Sequence, residues 1–442
     1  MIQGDGFWDE INWPYPQVRI AGNYILGLSV DNNNQLVVYE LLNENDIWTA
    51  TNIRSLGSVD NIDFVDVEGW GPYYVVTASK IVNNILTTSA FARYPNGTVA
   101  ILPNVAVPEF ATLCDFNGQA IIGCIQSDSA PWSGLLYSSV AWSGIGGGFD
   151  FRPTEPGNET AGFIHIPATG QGTGIVRKVK KLNKVVMAYT EDESHVLIPH
   201  SVGRSGFGRK GLGIAGIRNG NHIAGNDNIH LLLNTNNELN LINDNLEVQV
   251  LGYKEYMEDL DNGEVRITYV PQKKRFYISD SSRGFVLTEH GLYECHQCVT
   301  SSMYYRGRIL CGFFYDSEDW EPRLVTDTLD FKVRGFKTIH SIETDVRYND
   351  GCDEVYMALG FRSQYQTSKD RFYNSDWVRL NPMGIAYPIV SANEFRIMLK
   401  GVDYRDSDLR LSRLDVKYQF HDKRNIRGLS NARTSSTRPD FG

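Results

Sequence analysis

The 442-residue chain is built from short apolar runs separated by polar turns, with very little helical periodicity. Tyr24–Val30 and Gln35–Leu41 are examples, and clusters of Gly, Asn, Asp and Pro separate such runs throughout. Phe110–Phe116 and Gln119–Ile125 flank Asn117-Gly118, and Asn-Gly is a strong signal for a two-residue β-hairpin turn. The pattern predicts an all-β protein made of short antiparallel strands.

The spacing of these runs favours a propeller followed by a second β domain. Strands recur about every 8–12 residues, and about 330 residues at roughly 40–45 residues per blade would give roughly six to eight divergent blades. The sequence pattern changes near Asp327. Beyond it, apolar and polar residues alternate cleanly in Glu394–Lys400 and Leu414–Phe420, as in an antiparallel sandwich with one solvated face. We predict a β-propeller over residues 1–330, a C-terminal antiparallel β-sandwich over 331–427 and a flexible basic tail over 428–442.

Composition limits the class of protein and its compartment. Hydrophobic residues make up 42% of the chain, which is enough for a sizeable core. No apolar run of about 18 residues is present, so no membrane-spanning helix is expected. The N-terminus lacks the apolar stretch of a secretory signal, and six cysteines in so long a chain do not form a disulfide framework. We therefore expect synthesis in a reducing cytoplasm.

Charge is unevenly distributed along the chain. Residues 1–160 carry 17 Asp and Glu against 5 Lys and Arg, a net charge of −12 within a total of −10, so the remainder is +2. An acidic surface repels nucleic acid, which argues against an ordinary DNA-binding protein. It is compatible with a solvated face or with a surface past which DNA slides without binding.

The C-terminal end of the chain, in contrast to the acidic first 160 residues, is basic. Residues 423–442 contain five Lys and Arg against one acid, and Lys423, Arg424 and Arg427 are candidate subunit-contact residues. Such an arm either orders on a neighbouring copy of the chain or is a frayed terminus. Both readings fit the sequence equally well.

Candidate chemistry is sparse. Cys295 and Cys298 form the single CxxC, without the further ligands that a structural zinc site needs, and the nine histidines are predicted to lie at turns or on the surface. No catalytic, cofactor-binding or metal-ligating residue is assigned, and no cofactor is expected. Carboxylates near apolar strands are candidates for an acid/base pair, but the sequence brings no two of them together: Asp63, Asp66, Asp115, Asp150 and Glu191.

The segment Leu135–Pro199 carries a family resemblance. A strand ends in Ala141–Gly144, a glycine turn leads to Phe149–Phe151, and two apolar strands follow, the second closing in Thr190-Glu191. This order resembles a blade of the β-propeller in tail hub and nozzle proteins of short-tailed bacteriophages: strand, W/Y-S-x-x-G, F-D, strand, short turn, strand, T-E. The C-terminal order I-x-T-D-V, V-Y-M-A-L-G-F-R and S-x-W-V-R-L-N-P-M-G is similar to the C-terminal domain of the same family.

The resemblance implies a structural virion protein without enzymatic activity. It implies a ring of identical copies, expected to be six, which extends the DNA exit channel below the portal and adaptor and to which tail fibres or spikes attach. Genomic DNA would pass through without specific binding, and the chain would be located in the virion tail. Two alternatives stay open: a propeller that binds or cleaves host-surface carbohydrate, and a propeller scaffold that binds other proteins.

Overall fold

A computed structural model describes most of the chain, and it confirms the predicted all-β fold class of a propeller followed by a sandwich. The chain divides into two compact units, one composed mainly of residues up to 316 and the other mainly of residues 317–442. The described residues are 17–44, 47–70, 72–83, 85–127, 132, 137–146, 148–168, 174–200, 206–289, 291–295, 298–305, 308–313, 323–326, 328–329, 331, 335–345, 354–362, 372–402, 413–421 and 434–437.

Seven antiparallel sheets follow one another along the described part of the first 313 residues, and we number them as blades 1–7. Blade 1 contains β1 (Gln17–Ala21), β2 (Tyr24–Val30), β3 (Gln35–Glu44) and β4 (Ile47–Ser58), and blade 2 contains β5 (Phe64–Trp70), β6 (Tyr73–Val82), β7 (Ile85–Arg93) and β8 (Val99–Leu102). Blade 3 contains β9 (Glu109–Phe116), β10 (Gln119–Gln126), β11 (Ser139–Trp142) and β12 (Gly162–His165), and blade 4 contains β13 (Val176–Leu182), β14 (Val185–Thr190), β15 (Glu193–Pro199) and β16 (Phe207–Ala215). Blade 5 contains β17 (Ile223–Asn226), β18 (Ile229–Leu233), β19 (Leu239–Asn243) and β20 (Val248–Leu251), and blade 6 contains β21 (Arg266–Val270), β22 (Arg275–Ser279), β23 (Gly284–Thr288) and β24 (Gly291–Cys295). Blade 7 contains β25 (Val299–Tyr305) and β26 (Arg308–Phe313).

The first strands of the seven blades form a closed ring. Each of β1, β5, β9, β13, β17, β21 and β25 contacts the next, and β25 contacts β1. A hydrogen bond from the Val18 backbone N–H to the Ser301 hydroxyl, 2.7 Å long, joins the first blade to the last. The hairpin predicted at Asn117-Gly118 joins β9 to β10, and both residues have positive φ (53° and 79°), as a type I′ turn requires.

The core of this unit lies between successive blades. Apolar clusters lie between neighbouring blades, for example between blades 1 and 2, 2 and 3, and 4 and 5, and aromatic side chains contribute to several of them. Trp142 contacts Phe207 with ring centroids 4.9 Å apart, and Phe149 contacts Phe151 at 5.3 Å. Trp132 and Trp142 are buried and belong to these clusters.

The second unit contains two antiparallel sheets that enclose an apolar core. One sheet contains β27 (Arg323–Val325), β29 (Glu354–Arg362), β30 (Tyr373–Asn374), β31 (Val378–Arg379) and β34 (Glu394–Val402). The other contains β28 (Phe336–Thr344), β32 (Ile385–Ala386), β33 (Val390–Ala392), β35 (Leu414–His421) and β36 (Thr434–Thr437).

Two details of this unit differ from the predicted domain limits. β27 pairs with β34, so the sandwich includes residues before position 331. β36 pairs with β35, so four residues of the predicted flexible tail form an edge strand. Helices are short: α1 (Lys254–Met257) is the one α-helix among the described residues, and none of the helices there has the length and apolar character to span a membrane.

Candidate functional site

The inner strands of blades 2, 3 and 4 bring charged side chains together near the middle of the ring. Asp66 on β5 accepts hydrogen bonds from the Thr112 hydroxyl at 2.7 Å and from the Leu113 N–H at 3.0 Å, both on β9. Its other oxygen forms an ion pair with Lys178 on β13. The Thr112 hydroxyl also accepts from the Val179 N–H at 3.2 Å. We call Asp66, Thr112 and Lys178 the central node, and it fastens three blades to one another.

The central node is buried, and we therefore assign it a structural role. The side chains of Asp66 and Lys178 are 7% and 12% exposed, so both oxygens of the carboxylate are used by protein partners with little access for solvent. A buried ion pair contributes little net stability, but removing one partner leaves a buried charge and costs several kcal/mol. The node therefore maintains the spacing of the inner strands.

A second tier of charges lies two residues further along the same strands. Glu68 follows Asp66 on β5, and Lys180 follows Lys178 on β13; both are half-buried. Burial raises the pKa of Glu68 to about 7, and Asp66 adds to the increase, whereas Lys180 and Lys178 oppose it. Burial also lowers the pKa of Lys180, and the neighbouring charge of Lys178 acts in the same direction. Glu68 can therefore exchange a proton near neutral pH.

The family-like segment forms the turn that ends β11 and leads to β12. The Asn158 amide donates to the Asp150 carbonyl at 3.0 Å and to the Arg152 carbonyl at 2.8 Å. Gly144 passes so close to this amide that an added Cβ would lie 1.8 Å from Asn158 Oδ1. The Trp142 indole donates to the Thr160 carbonyl at 3.0 Å. The motif residues thus build a tightly packed connection.

The two acids of that motif, Asp150 and Glu191, are held by arginines. Asp150 accepts from Arg152 Nη2 at 2.6 Å, and this bond lowers the pKa of the carboxyl. Glu191 pairs with Arg177, which lies directly before Lys178. The Thr190 hydroxyl accepts hydrogen bonds from the backbone N–H groups of Asp192 and Glu193. The Thr190-Glu191 pair therefore ends β14 and holds the turn that follows it. Asp150 lies in the turn between β11 and β12, and Glu191 directly follows the end of β14.

The other candidate acids are also partnered and lie apart. Asp63 is 3.6 Å from Lys80 Nζ, and Asp115 accepts from the Trp70 indole at 2.5 Å. Asp66 belongs to the central node. The structure therefore brings no two of the five sequence-derived acids into a shared site, and the acid that does approach Asp66 is Glu68. The i, i+2 spacing on a strand was the signal that could have identified Glu68, because such residues share a face.

The prediction that all histidines lie at turns or on the surface is wrong for three of them. His195, His222 and His230 are buried. The Tyr189 hydroxyl donates to His230 Nδ1 at 2.7 Å, and His230 Nε2 donates to the Lys181 carbonyl at 3.0 Å; burial lowers the pKa of the ring. These contacts join blades 4 and 5, which the scattered sequence positions did not indicate.

The remaining candidates give no cofactor site among the described residues. Cys114 and Cys124 are buried thiols whose pKa values are raised by burial. In the described ranges, no three His, Cys, Asp or Glu side chains are arranged to hold a metal ion. The candidate contact residues Lys423, Arg424 and Arg427 lie outside the described residues.

Comparisons with known proteins give weak likenesses. No protein-family model matches the chain, and no curated protein matches it. Among solved structures, PorZ, a surface component of the type-IX secretion system of Porphyromonas gingivalis, is similar at 10% identity and TM-score 0.37, over 70% of this chain and 35% of PorZ. BamB from Moraxella catarrhalis is similar at 10% identity and TM-score 0.36, over 66% and 78% of the two chains, and Kluyveromyces lactis Hsv2 at 9% and 0.32, over 61% and 79%. The chain thus spans about a third of PorZ, and similarity at this level carries no inference about function.

Proposed function

We propose that this chain is a structural subunit of the tail hub or nozzle of a short-tailed bacteriophage. In this role several copies, expected to be six, form a ring that extends the DNA exit channel below the portal and adaptor and anchors other tail parts. The observation that carries the proposal is the segment from Leu135 to Pro199, which resembles a blade of that family. Its Trp142, Gly144, Asp150 and Thr190 side chains and backbone make turn and strand-end contacts, which supports a structural use of the motif.

The centre of the propeller also supports a mechanical role. The central node of Asp66, Thr112 and Lys178 ties three inner strands by side-chain contacts, and the bond from Val18 to Ser301 ties the first blade to the last. A closed propeller leaves few free strand edges and resists deformation. A ring through which DNA passes under pressure needs subunits of this stiffness. Heterologous contacts between identical copies close into a ring when the rotation from one copy to the next allows it.

One observation favours the carbohydrate-cleaving alternative. Asp66 and Glu68 share a face of β5, and the raised pKa of Glu68 beside a second carboxyl is a pattern found in acid/base pairs. We rank this function second because both Asp66 oxygens are occupied by Thr112, Leu113 and Lys178. Polysaccharide hydrolysis that Glu68→Gln abolishes would reverse this ranking.

The test is to follow the chain in a lysate of infected cells separated on a density gradient. Fractions are probed for the chain and for nuclease-resistant DNA. Comigration with DNA-filled particles at a few to about a dozen copies per particle is expected for a ring component. Recovery in the soluble fraction alone would overturn the proposal, and glycan binding and hydrolysis would then be assayed.

Variants of the basic C-terminal residues test the proposed contact between subunits more directly. Changing Lys423, Arg424 and Arg427 to Gln is expected to reduce incorporation into particles if these residues contact a neighbouring copy. Changing the exposed cations of Lys273–Arg275 to Gln is the matched control, since it removes the same charge elsewhere. Equal incorporation of the two variants would contradict the subunit-contact role of the tail while leaving the hub assignment to the gradient.

A further inference from the structure

A polar cavity of about 150 Å³ lies within the first unit. One water molecule occupies about 30 Å³ in the liquid, so the cavity has room for several waters or for one small ion with its hydration partly removed. We call it the basic cavity. Its lining comes from blades 2, 3 and 4 and from the segment before blade 5: Asp63, Phe64, Ser79, Lys80, Ile81, Ala111, Val176, Arg177, Arg218, Asn219 and Gly220.

Cations outnumber acids around the basic cavity. Lys80, Arg177 and Arg218 line it, whereas Asp63, 3.6 Å from Lys80, and Glu191, paired with Arg177, supply two negative charges. Arg218 donates to the uncharged Thr235 carbonyl at 2.9 Å, and the described residues give it no ion pair. The group therefore keeps one net positive charge, in a protein whose total charge is −10.

Arg177 and Arg218 also have hydrogen-bond donors that their described contacts do not use. A guanidinium has five N–H donors. The described contacts of Arg177 use Nη2 for Glu191, and its buried Nε has no hydrogen-bond partner among the described residues. Arg218 uses Nη2 for Thr235. The unpartnered Nε of half-buried Arg177 is costly, and an oxyanion in the cavity would accept from it and from the exposed Arg218 guanidinium at once.

A buried histidine beside this region indicates that the arginines converge. His222 is fully buried and donates through Nε2 to the Asn262 carbonyl at 2.9 Å, while its Nδ1 has no partner among the described residues. Burial lowers its pKa to about 4, and the positive charges of Arg218, Arg177 and Arg266 act in the same direction. The imidazole is therefore neutral at pH 7, and the positive charge there is that of the arginines.

We propose that the basic cavity binds a phosphate group, with Arg218 and Arg177 as charged hydrogen-bond donors and Lys80 as the opposing cation. Phosphate fits because its several oxygens accept charge-assisted hydrogen bonds from guanidinium groups and its negative charge complements the net positive charge of the site. The group comes either from free inorganic phosphate or from a phosphomonoester such as a nucleotide. This site goes beyond the proposed tail function and does not depend on it.

The test is isothermal titration of the full chain with inorganic phosphate and, separately, with AMP, at a constant ionic strength set with sodium chloride. Saturable binding of at least one probe is expected. Tighter binding of AMP assigns the phosphate to a nucleotide, and equal or weaker binding assigns free phosphate. Absence of heat and of any thermal shift with both probes at 10 mM overturns the proposal.

Variants separate the site from general charge effects. Arg218→Gln changes an exposed side chain and is expected to weaken phosphate binding about tenfold or more, as loss of a charge-assisted hydrogen bond does. Lys80→Gln is the second variant and should act in the same direction. Lys184→Gln, at an exposed turn beyond the far end of β13, is the matched control and should bind as the wild type does. Equal affinities of the Arg218 and Lys184 variants would overturn the assignment even if phosphate binds.

Discussion

Replacing Glu68 by Gln should stabilise the protein above neutral pH. The carboxyl is half-buried beside Asp66, and its pKa in the folded protein is about 7, compared with an ordinary value of 4.5. The folded state therefore holds this proton more tightly than the unfolded state. Ionisation of Glu68 opposes folding, so its contribution to stability falls as the pH rises from about 4.5 to about 7 and is constant above that range.

The magnitude follows from the difference between the two pKa values. Each pKa unit corresponds to about 1.4 kcal/mol, so the ionised carboxylate costs about 3 kcal/mol at pH 8 and less than about 1 kcal/mol at pH 5. Gln has nearly the same shape and does not ionise. The Gln variant should therefore exceed the wild type by about 3 kcal/mol in free energy of unfolding at pH 8 and nearly match it at pH 5.

Urea denaturation followed by tryptophan fluorescence at pH 5 and pH 8 measures both differences. Glu258→Gln, at an exposed position after α1, is the matched control and should leave the pH dependence unchanged. Equal pH slopes for the wild type and the Glu68 variant, or a loss of stability in that variant at pH 8, would refute the reasoning about the second tier of charges.

Two further substitutions and one labelling experiment test the packing of the propeller. Asp66→Ala should cost about 3–5 kcal/mol in free energy of unfolding, because it leaves Lys178 as a buried charge without its carboxylate; chemical denaturation measures this. Gly144→Ala should cost at least about 1–3 kcal/mol, because the added methyl group meets Asn158, and the loss appears as a lower melting temperature. Cys114 should resist alkylation in the native protein and react after unfolding, because burial raises its pKa; mass spectrometry of iodoacetamide-treated protein checks this.

The two substitutions have matched control variants, and the Cys114 prediction has an outcome that would contradict it. Gly252→Ala adds a methyl group where no heavy atom lies within 4 Å, so a melting temperature as low as that of the Gly144 variant would contradict the steric explanation. Asp244→Ala, at a turn between β19 and β20, tests whether any loss of a carboxylate destabilises the chain; a cost equal to that of Asp66→Ala would refute the special role of the central node. Rapid native alkylation of Cys114 would contradict its burial.

Short-range patterns predicted much of the fold because they reflect local physical constraints. The Asn117-Gly118 hairpin requires two positive φ angles, and this residue pair favours them. Tyr24–Val30 is a strand with the predicted limits. The glycine-rich stretch after His200 has no clear apolar alternation, yet Phe207–Ala215 in it forms β16. This strand lies at the outer edge of blade 4, where only two of its nine residues are buried and no apolar alternation is needed.

The polar interior was beyond prediction from the sequence because its contacts join distant positions. Asp66 and Lys178 are 112 residues apart, and Tyr189 and His230 are 41 apart. Their meeting depends on how the blades are arranged around the ring, which neither spacing nor composition encodes. The contact of Asp150 with Arg152 is different, because the two residues are only two positions apart and a local contact of this kind can be indicated by sequence.

A three-dimensional reconstruction of the tail of the DNA-filled particle tests the central claim most directly. The account predicts a closed ring of identical subunits, expected to be six, below the portal and adaptor, with seven-bladed propeller density in every subunit and the DNA path on the ring axis. A reconstruction in which other proteins account for the whole tail, with no propeller of this kind, would contradict it.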